Sequence, residues 1–275
     1  MKNRYINLFT DFGFKRLFGN EENKDILIDF LNTLLVDKQT IIDLKYLNSE
    51  ILGKTILDRK AIYDLYCEND KGEKFIVELQ RAEQEFFKER SIFYASRAIQ
   101  EQSKQGKWDY NWQAVYTIAI MDFVFSGMGH QNVKSDVILY DQGNKSKFTD
   151  KLRFIYLEMP KFNKPLDELE SNYDKWLYIL KNISQLENVP SKLQKVLFEK
   201  VFSIAEVSNY SPTELQEYEE SLKYYRDYHN TIDLKYKEGK TEAFVTAAKK
   251  MKKDGLSVET ISKYTGLTNE EINHL

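Results

Sequence analysis

Ile62-Tyr63-Asp64-Leu65-Tyr66-Cys67-Glu68-Asn69-Asp70-Lys71-Gly72-Glu73-Lys74-Phe75-Ile76-Val77-Glu78-Leu79-Gln80 alternates apolar and polar residues on both sides of a short polar gap, the pattern of two strands joined by a hairpin. Asn69–Glu73 forms the tight connection, with Gly72 in the left-handed conformation that a three-residue loop requires. With Asn69 facing Glu73, the antiparallel register sets Asp64 opposite Glu78. Cβ atoms of such partners lie about 4.5–5.5 Å apart, and the period of two puts Gln80 on the same face as Glu78. Tyr63, Leu65, Cys67, Phe75, Val77 and Leu79 take the other face, an apolar surface for covering helices.

Two carboxylates this close repel one another, which raises the pKa of at least one unless a cation compensates. A hard divalent ion with oxygen ligands supplies that compensation and keeps water positions open. Beside a phosphodiester, such an ion offsets the charge that builds on the leaving oxygen. The same spacing also describes solvent-facing residues of an edge hairpin, and both readings stand at this point. Magnesium or manganese suits the pair better than zinc, because His130, His229 and His274 are scattered along the chain and Cys67 is the single cysteine.

Around this hairpin the hydrophobic period changes twice. Thr10–Gly19 reads as a short capped helix, with Thr10 or Asp11 accepting early amides, and Asn23–Leu35 as a second helix with Leu27, Phe30, Leu31 and Leu34 in one stripe. Strands are expected at Ile41–Glu50, Ala61–Glu68, Lys74–Gln80 and Leu152–Glu158, with apolar segments at Gln113–Phe123 and Lys134–Tyr140 and a long helix over Glu83–Gln102. Beyond Pro160 and Pro165, helices are expected at Leu166–Lys181, Ser191–Ala205 and Pro212–Asp227, then an amphipathic stretch at Tyr236–Lys253. Gly255–Leu275 carries two short helix signals joined by Thr265-Gly266-Leu267, the length and turn of a helix-turn-helix, although Asn269-Glu270-Glu271 would repel phosphates. A packing or oligomerisation module fits that segment better than autonomous DNA reading, which leaves a homo-oligomer open.

Composition excludes several classes. One cysteine rules out an intramolecular disulfide, nothing at Met1–Arg4 resembles a signal peptide, and a reducing cytoplasm fits. The apolar stretch around Ala114–Ser126 is too short for a bilayer, so no membrane role is indicated. The 18 Tyr and 17 Phe point to an aromatic core. A net charge of −3 gives no global attraction for nucleic acid, so any DNA contact has to come from a local basic surface.

Asp64 followed by Glu78-Leu79-Gln80 resembles the Asp…Glu-x-Gln form of the PD-(D/E)XK nuclease signature. The surrounding chain resembles the PD-(D/E)XK nuclease family transposases, or recombination-promoting nucleases. Asp11-Phe12-Gly13-Phe14-Lys15-Arg16-Leu17-Phe18-Gly19, Leu31-Asn32-Thr33-Leu34-Leu35 and Arg90-Ser91-Ile92-Phe93-Tyr94 carry the likeness further. The resemblance implies an α/β, restriction-endonuclease-like fold: a mixed β-sheet flanked by helices, with a helical C-terminal region. It also implies magnesium-dependent hydrolysis of DNA, with manganese as a substitute, and a connection with recombination or mobile elements.

Carried over, Asp64 and Glu78 become metal ligands, Glu50 an additional metal-site carboxylate, and Lys15 and Arg16 phosphate-facing residues. Gln80 stands where many nucleases of this fold have lysine; it can orient a water or a phosphate but supplies no cation. Arg90, Tyr94 and Arg97 share one helix face, which suits Arg90 and Tyr94 to contact phosphate or support the carboxylates, while Lys104, Lys107 and Trp108 would extend a basic surface.

The expected organisation is a catalytic domain over 1–160, a helical extension over 161–232 packed on it, and a helical tail over 233–275. The alternative function is a catalytically inactive nuclease-fold protein that binds nucleic acid or another protein.

Overall fold

The structure is a computed structural model that describes residues 3–36, 40–51, 61–103, 109–126 and 131–275. His130, Lys104, Lys107 and Trp108 lie outside the described residues. The described chain divides into two units, one ending at Ser221 and one running from Leu222 to Leu275.

The first unit is built on a six-stranded mixed sheet. Its strands are β1 (Leu44–Tyr46), β4 (Leu65–Asn69), β5 (Lys74–Gln80), β6 (Val115–Met121), β7 (Lys134–Asp141) and β8 (Ser146–Glu158), in the spatial order β1-β4-β5-β6-β8-β7. β2 (Glu50–Ile51) and β3 (Ala61–Ile62) pair separately as a two-stranded piece. β4 and β5 are antiparallel, while β5, β6 and β8 run parallel. The central parallel strand is buried along its whole length, which explains why Val115–Met121 is apolar without alternation.

The hairpin forms as its sequence dictates. Leu65 faces Val77 and Cys67 faces Phe75, the Asn69 amide donates to the Glu73 carbonyl at 3.1 Å, and Gly72 takes φ +77°. Asp64 therefore stands opposite Glu78 at the end of the ladder. Tyr63 departs from the expected alternation. Residues 63–64 form a bend between β3 and β4, and the Tyr63 ring packs on Tyr66 at 5.0 Å and Tyr94 at 5.3 Å, on the side expected for Asp64.

Helix α3 (Phe87–Glu101) covers one face, where Ala95 and Ala98 pack into a core with Tyr66, Ile76, Val115, Ala119, Met121 and Tyr156. The Tyr66 hydroxyl donates to Glu101 at 2.6 Å and the Tyr156 hydroxyl to Ser91 at 3.2 Å, so both buried phenols are satisfied. The remaining helices, α1 (Asp11–Phe18), α2 (Lys24–Leu34), α4 (Asn172–Asn182) and α5 (Val196–Ala205), meet around Phe18, Phe30, Trp176 and Phe198, with ring centroids 5.3–5.9 Å apart. Burying each such side chain contributes about 2–3 kcal/mol. The Tyr46 hydroxyl, donating to the Phe18 carbonyl, ties this aromatic layer to β1.

Thr10 caps α1 by accepting the Gly13 amide at 3.0 Å, so capping falls to Thr10 rather than Asp11. Gly13 itself is required by close approach, since a Cβ there would lie 2.3 Å from the Asn7 carbonyl oxygen. Helix α6 (Pro212–Lys253) begins in this unit, where the Tyr218 hydroxyl accepts the Asn7 amide and the Ser221 hydroxyl accepts the Phe12 amide.

In the second unit α6 continues without a break through residues 227–236, where the sequence pattern predicts two separate segments. Helices α7 (Val258–Thr265) and α8 (Asn269–Asn273) close on it through Ala248, Ile261, Leu267 and Ile272. The acidic start of α8 has a local cause: Glu271 accepts from Thr268 in a capping box. Among the described residues no helix is long and apolar enough to cross a membrane.

Candidate active site

Asp64 and Glu78 meet where the β4–β5 ladder ends, and each carboxylate accepts a main-chain amide from the other's strand. The Leu79 amide donates to Asp64 Oδ2 at 2.7 Å, and the Asp64 amide donates to Glu78 Oε1 at 3.4 Å. Glu78 and Gln80 point to the face covered by α3 and are 6% and 9% exposed, so they sit inside the protein rather than on a solvated edge. Of the two residues in the edge-hairpin reading, Asp64 and Glu78, the burial of Glu78 removes it for that residue. Gln80 Nε2 donates to Glu78 Oε2 at 3.1 Å, and Arg90 Nη2, from the first turn of α3, donates to Gln80 Oε1 at 2.8 Å.

Burial dominates the electrostatics. It pushes the Glu78 carboxyl up to about 8, with the Asp64 charge adding to the rise and Arg90, the Asp64 amide and Gln80 opposing it. Burial also raises Asp64, which the Leu79 amide holds back. The charge of Asp11 adds to that rise, and those of Lys15 and Arg81 oppose it. Asp11, which the sequence assigns to capping, and Arg81, to which it assigns no role, are thus parts of the site's field. Arg81 was visible as the charge directly after Gln80, whereas Asp11 reaches the site only through the docking of α1.

Lys15 pairs with Asp11 at 3.1 Å, and Arg16 pairs with Glu214 at 3.0 Å while stacking over Tyr210. Both line a groove of about 560 Å³ with Asp11, Asn20 and Glu217. Tyr94 stacks edge-on against Tyr63 and offers Arg90 a ring face at 5.8 Å, so it supports the site as packing. Glu50 lies on β2, paired with Ile62. It does not complete a triad with Asp64 and Glu78: among the described residues no group of three His, Cys, Asp or Glu side chains stands ready to hold a metal.

The donor chemistry nevertheless fits a magnesium-like ion. Such an ion keeps several waters and is held by one or two carboxylates together with substrate phosphate, so two carboxylates can suffice. Burial raises the pKa of both, and a divalent cation held between them would favour their charged forms.

A family model described as PD-(D/E)XK nuclease family transposase matches residues 8–235. No curated protein and no solved structure matches the chain.

Proposed function

The chain belongs to the PD-(D/E)XK nuclease family transposases, and from that membership and the paired carboxylates we propose that it is a magnesium-dependent DNA endonuclease, with manganese as a substitute ion. The observation that carries the proposal is the Asp64–Glu78 pair, held at the end of a ladder with both carboxyl groups raised in pKa by burial. These two residues would hold the ion. When bound, the ion polarises the phosphoryl oxygen and lowers the pKa of its water. The protein's own contribution is to fix the two carboxylates: the Leu79 amide orients Asp64, and Gln80 orients Glu78. Lys15 and Arg16, at the rim of the α1 groove, would meet substrate phosphate by exchanging their present carboxylate partners for it.

A second reading, a nuclease-fold module that holds nucleic acid or a protein without cutting, is favoured by two observations. No three-residue ligand group stands among the described residues, and Gln80 brings no charge. Family membership and the described geometry suffice for this second reading, while the first adds a bound ion and a hydrolytic step. Side-by-side incubation with DNA and RNA, in magnesium, manganese and EDTA, separates them. Metal-dependent DNA cutting supports the first, and metal-independent binding with every substrate intact supports the second. RNA cut in preference to DNA would replace the substrate class.

A further inference from the structure

Arg90 is a cation bonded to two neutral amides. Its Nη2 donates to Gln80 Oε1 at 2.8 Å, its Nη1 donates to Gln84 Oε1, and its guanidinium lies over Phe87 at 5.1 Å. Among the described residues it makes no ion pair. Its charge is therefore not neutralised by a carboxylate of its own, although it lies one amide away from buried Glu78.

The chemistry of the two ends fixes the amide between them. A guanidinium only donates, so the Gln80 oxygen is the end that faces Arg90, and the NH₂ end must face Glu78. Oriented this way, Gln80 is a donor toward the carboxylate and has its oxygen engaged. It serves as a link between two charged groups.

We propose that Arg90 is a positioning residue for this site: acting through Gln80, it holds the Glu78 carboxylate in place and supplies the positive charge that Gln80 does not. This rests on the hydrolytic reading of Asp64 and Glu78. The aromatic faces of Phe87 and Tyr94 hold the guanidinium, and the partly exposed position of Arg90 lets its charge act without full burial.

The test moves the charge from helix to strand. Removing an outer-shell partner of a metal ligand lowers activity about 10–100-fold, and that loss is expected for R90Q. R90K keeps the charge without the fork and falls between R90Q and wild type. Q80K alone sets an ammonium against Arg90 and brings no gain. Q80K/R90Q returns one positive charge to the site and recovers about tenfold over R90Q, which a packing role for Arg90 would not produce.

A second readout needs no turnover: the Gln80 side-chain amide protons exchange slowly with solvent in the wild type and about tenfold faster in R90Q. Circular dichroism confirms that each variant is folded. R90Q cutting like the wild type, or equal loss in R90Q, R90K and Q80K/R90Q, overturns the proposal. Unchanged Gln80 exchange in R90Q overturns the link itself. If wild-type protein leaves DNA intact while R90Q still frees the Gln80 amide, the hydrolytic reading fails, and the positioning role fails with it while the contact stands.

Discussion

Glu78 accepts the backbone amide of Asp64 at 3.4 Å, across the end of the ladder that pairs their strands. The two acidic residues are thereby held together, and the cost of burying them appears in their protonation. Burial raises the folded-state pKa of Glu78 from 4.5 to about 8. A carboxyl raised on folding contributes stability that is fully present below its unfolded pKa and is lost as pH rises through the folded one. Metal-free wild-type protein is therefore expected to lose melting temperature between about pH 4.5 and 8, and Asp64 acts in the same direction. E78Q removes this titration, so its Tm in EDTA should fall less over that interval; parallel curves for the two proteins would contradict the assignment.

The same buried pair of carboxyl groups predicts a response to divalent ions. An ion that binds only the folded state raises Tm by mass action, and it has to displace the Glu78 proton to do so. Magnesium or manganese should therefore raise the wild-type Tm more at pH 8 than at pH 6, with D64N and E78Q losing most of the effect. Differential scanning fluorimetry across a metal titration measures it. An equal shift in wild type and both variants would place the ion elsewhere.

Packing of α1 offers a test that does not involve the acidic pair directly. A methyl group at Gly13 would meet the Asn7 carbonyl oxygen at 2.3 Å and Thr10 Oγ1 at 2.9 Å, so G13A should cost about 1–3 kcal/mol through overpacking. Gly239 is the contrast, a glycine inside α6 with open space around it. G239A should stabilise the helix by up to about 1 kcal/mol. Urea unfolding followed by circular dichroism gives both values, and a neutral G13A would show that α1 can shift to accept the methyl group.

The parts of this architecture that were legible in sequence are those fixed by local chemistry. Gly72 and the alternation around it set the hairpin register, and Lys74–Gln80 forms a strand over the expected residues. The first helix also follows its Thr10 cap, and the second its apolar stripe. Local pattern does not suffice where a distant partner decides the outcome. Ile41–Glu50 gives only the short β1 and the start of β2, because an apolar pattern does not name the strand it will pair with. The continuity of α6 was hidden by its polar middle, which lacks an apolar stripe to mark it as helix.

The site shows the same division. The Asp64–Glu78–Gln80 arrangement follows from the period of two. The Arg90–Gln80 bond, by contrast, depends on a turn in which Phe86 takes φ +61°, a left-handed conformation that no glycine announces. Asp11 reaches the field of Asp64 through tertiary packing alone, and its neighbourhood to Thr10 suggested a cap instead.

The central claim, that Asp64 and Glu78 form a metal-dependent site for cutting DNA, is tested most directly by conversion of supercoiled plasmid to nicked and linear forms. Wild-type protein in magnesium or manganese is predicted to convert it, EDTA to stop the reaction, and folded D64A and E78A to lower the rate at least about a hundredfold. Equal cutting by wild type and by both folded variants would contradict the account.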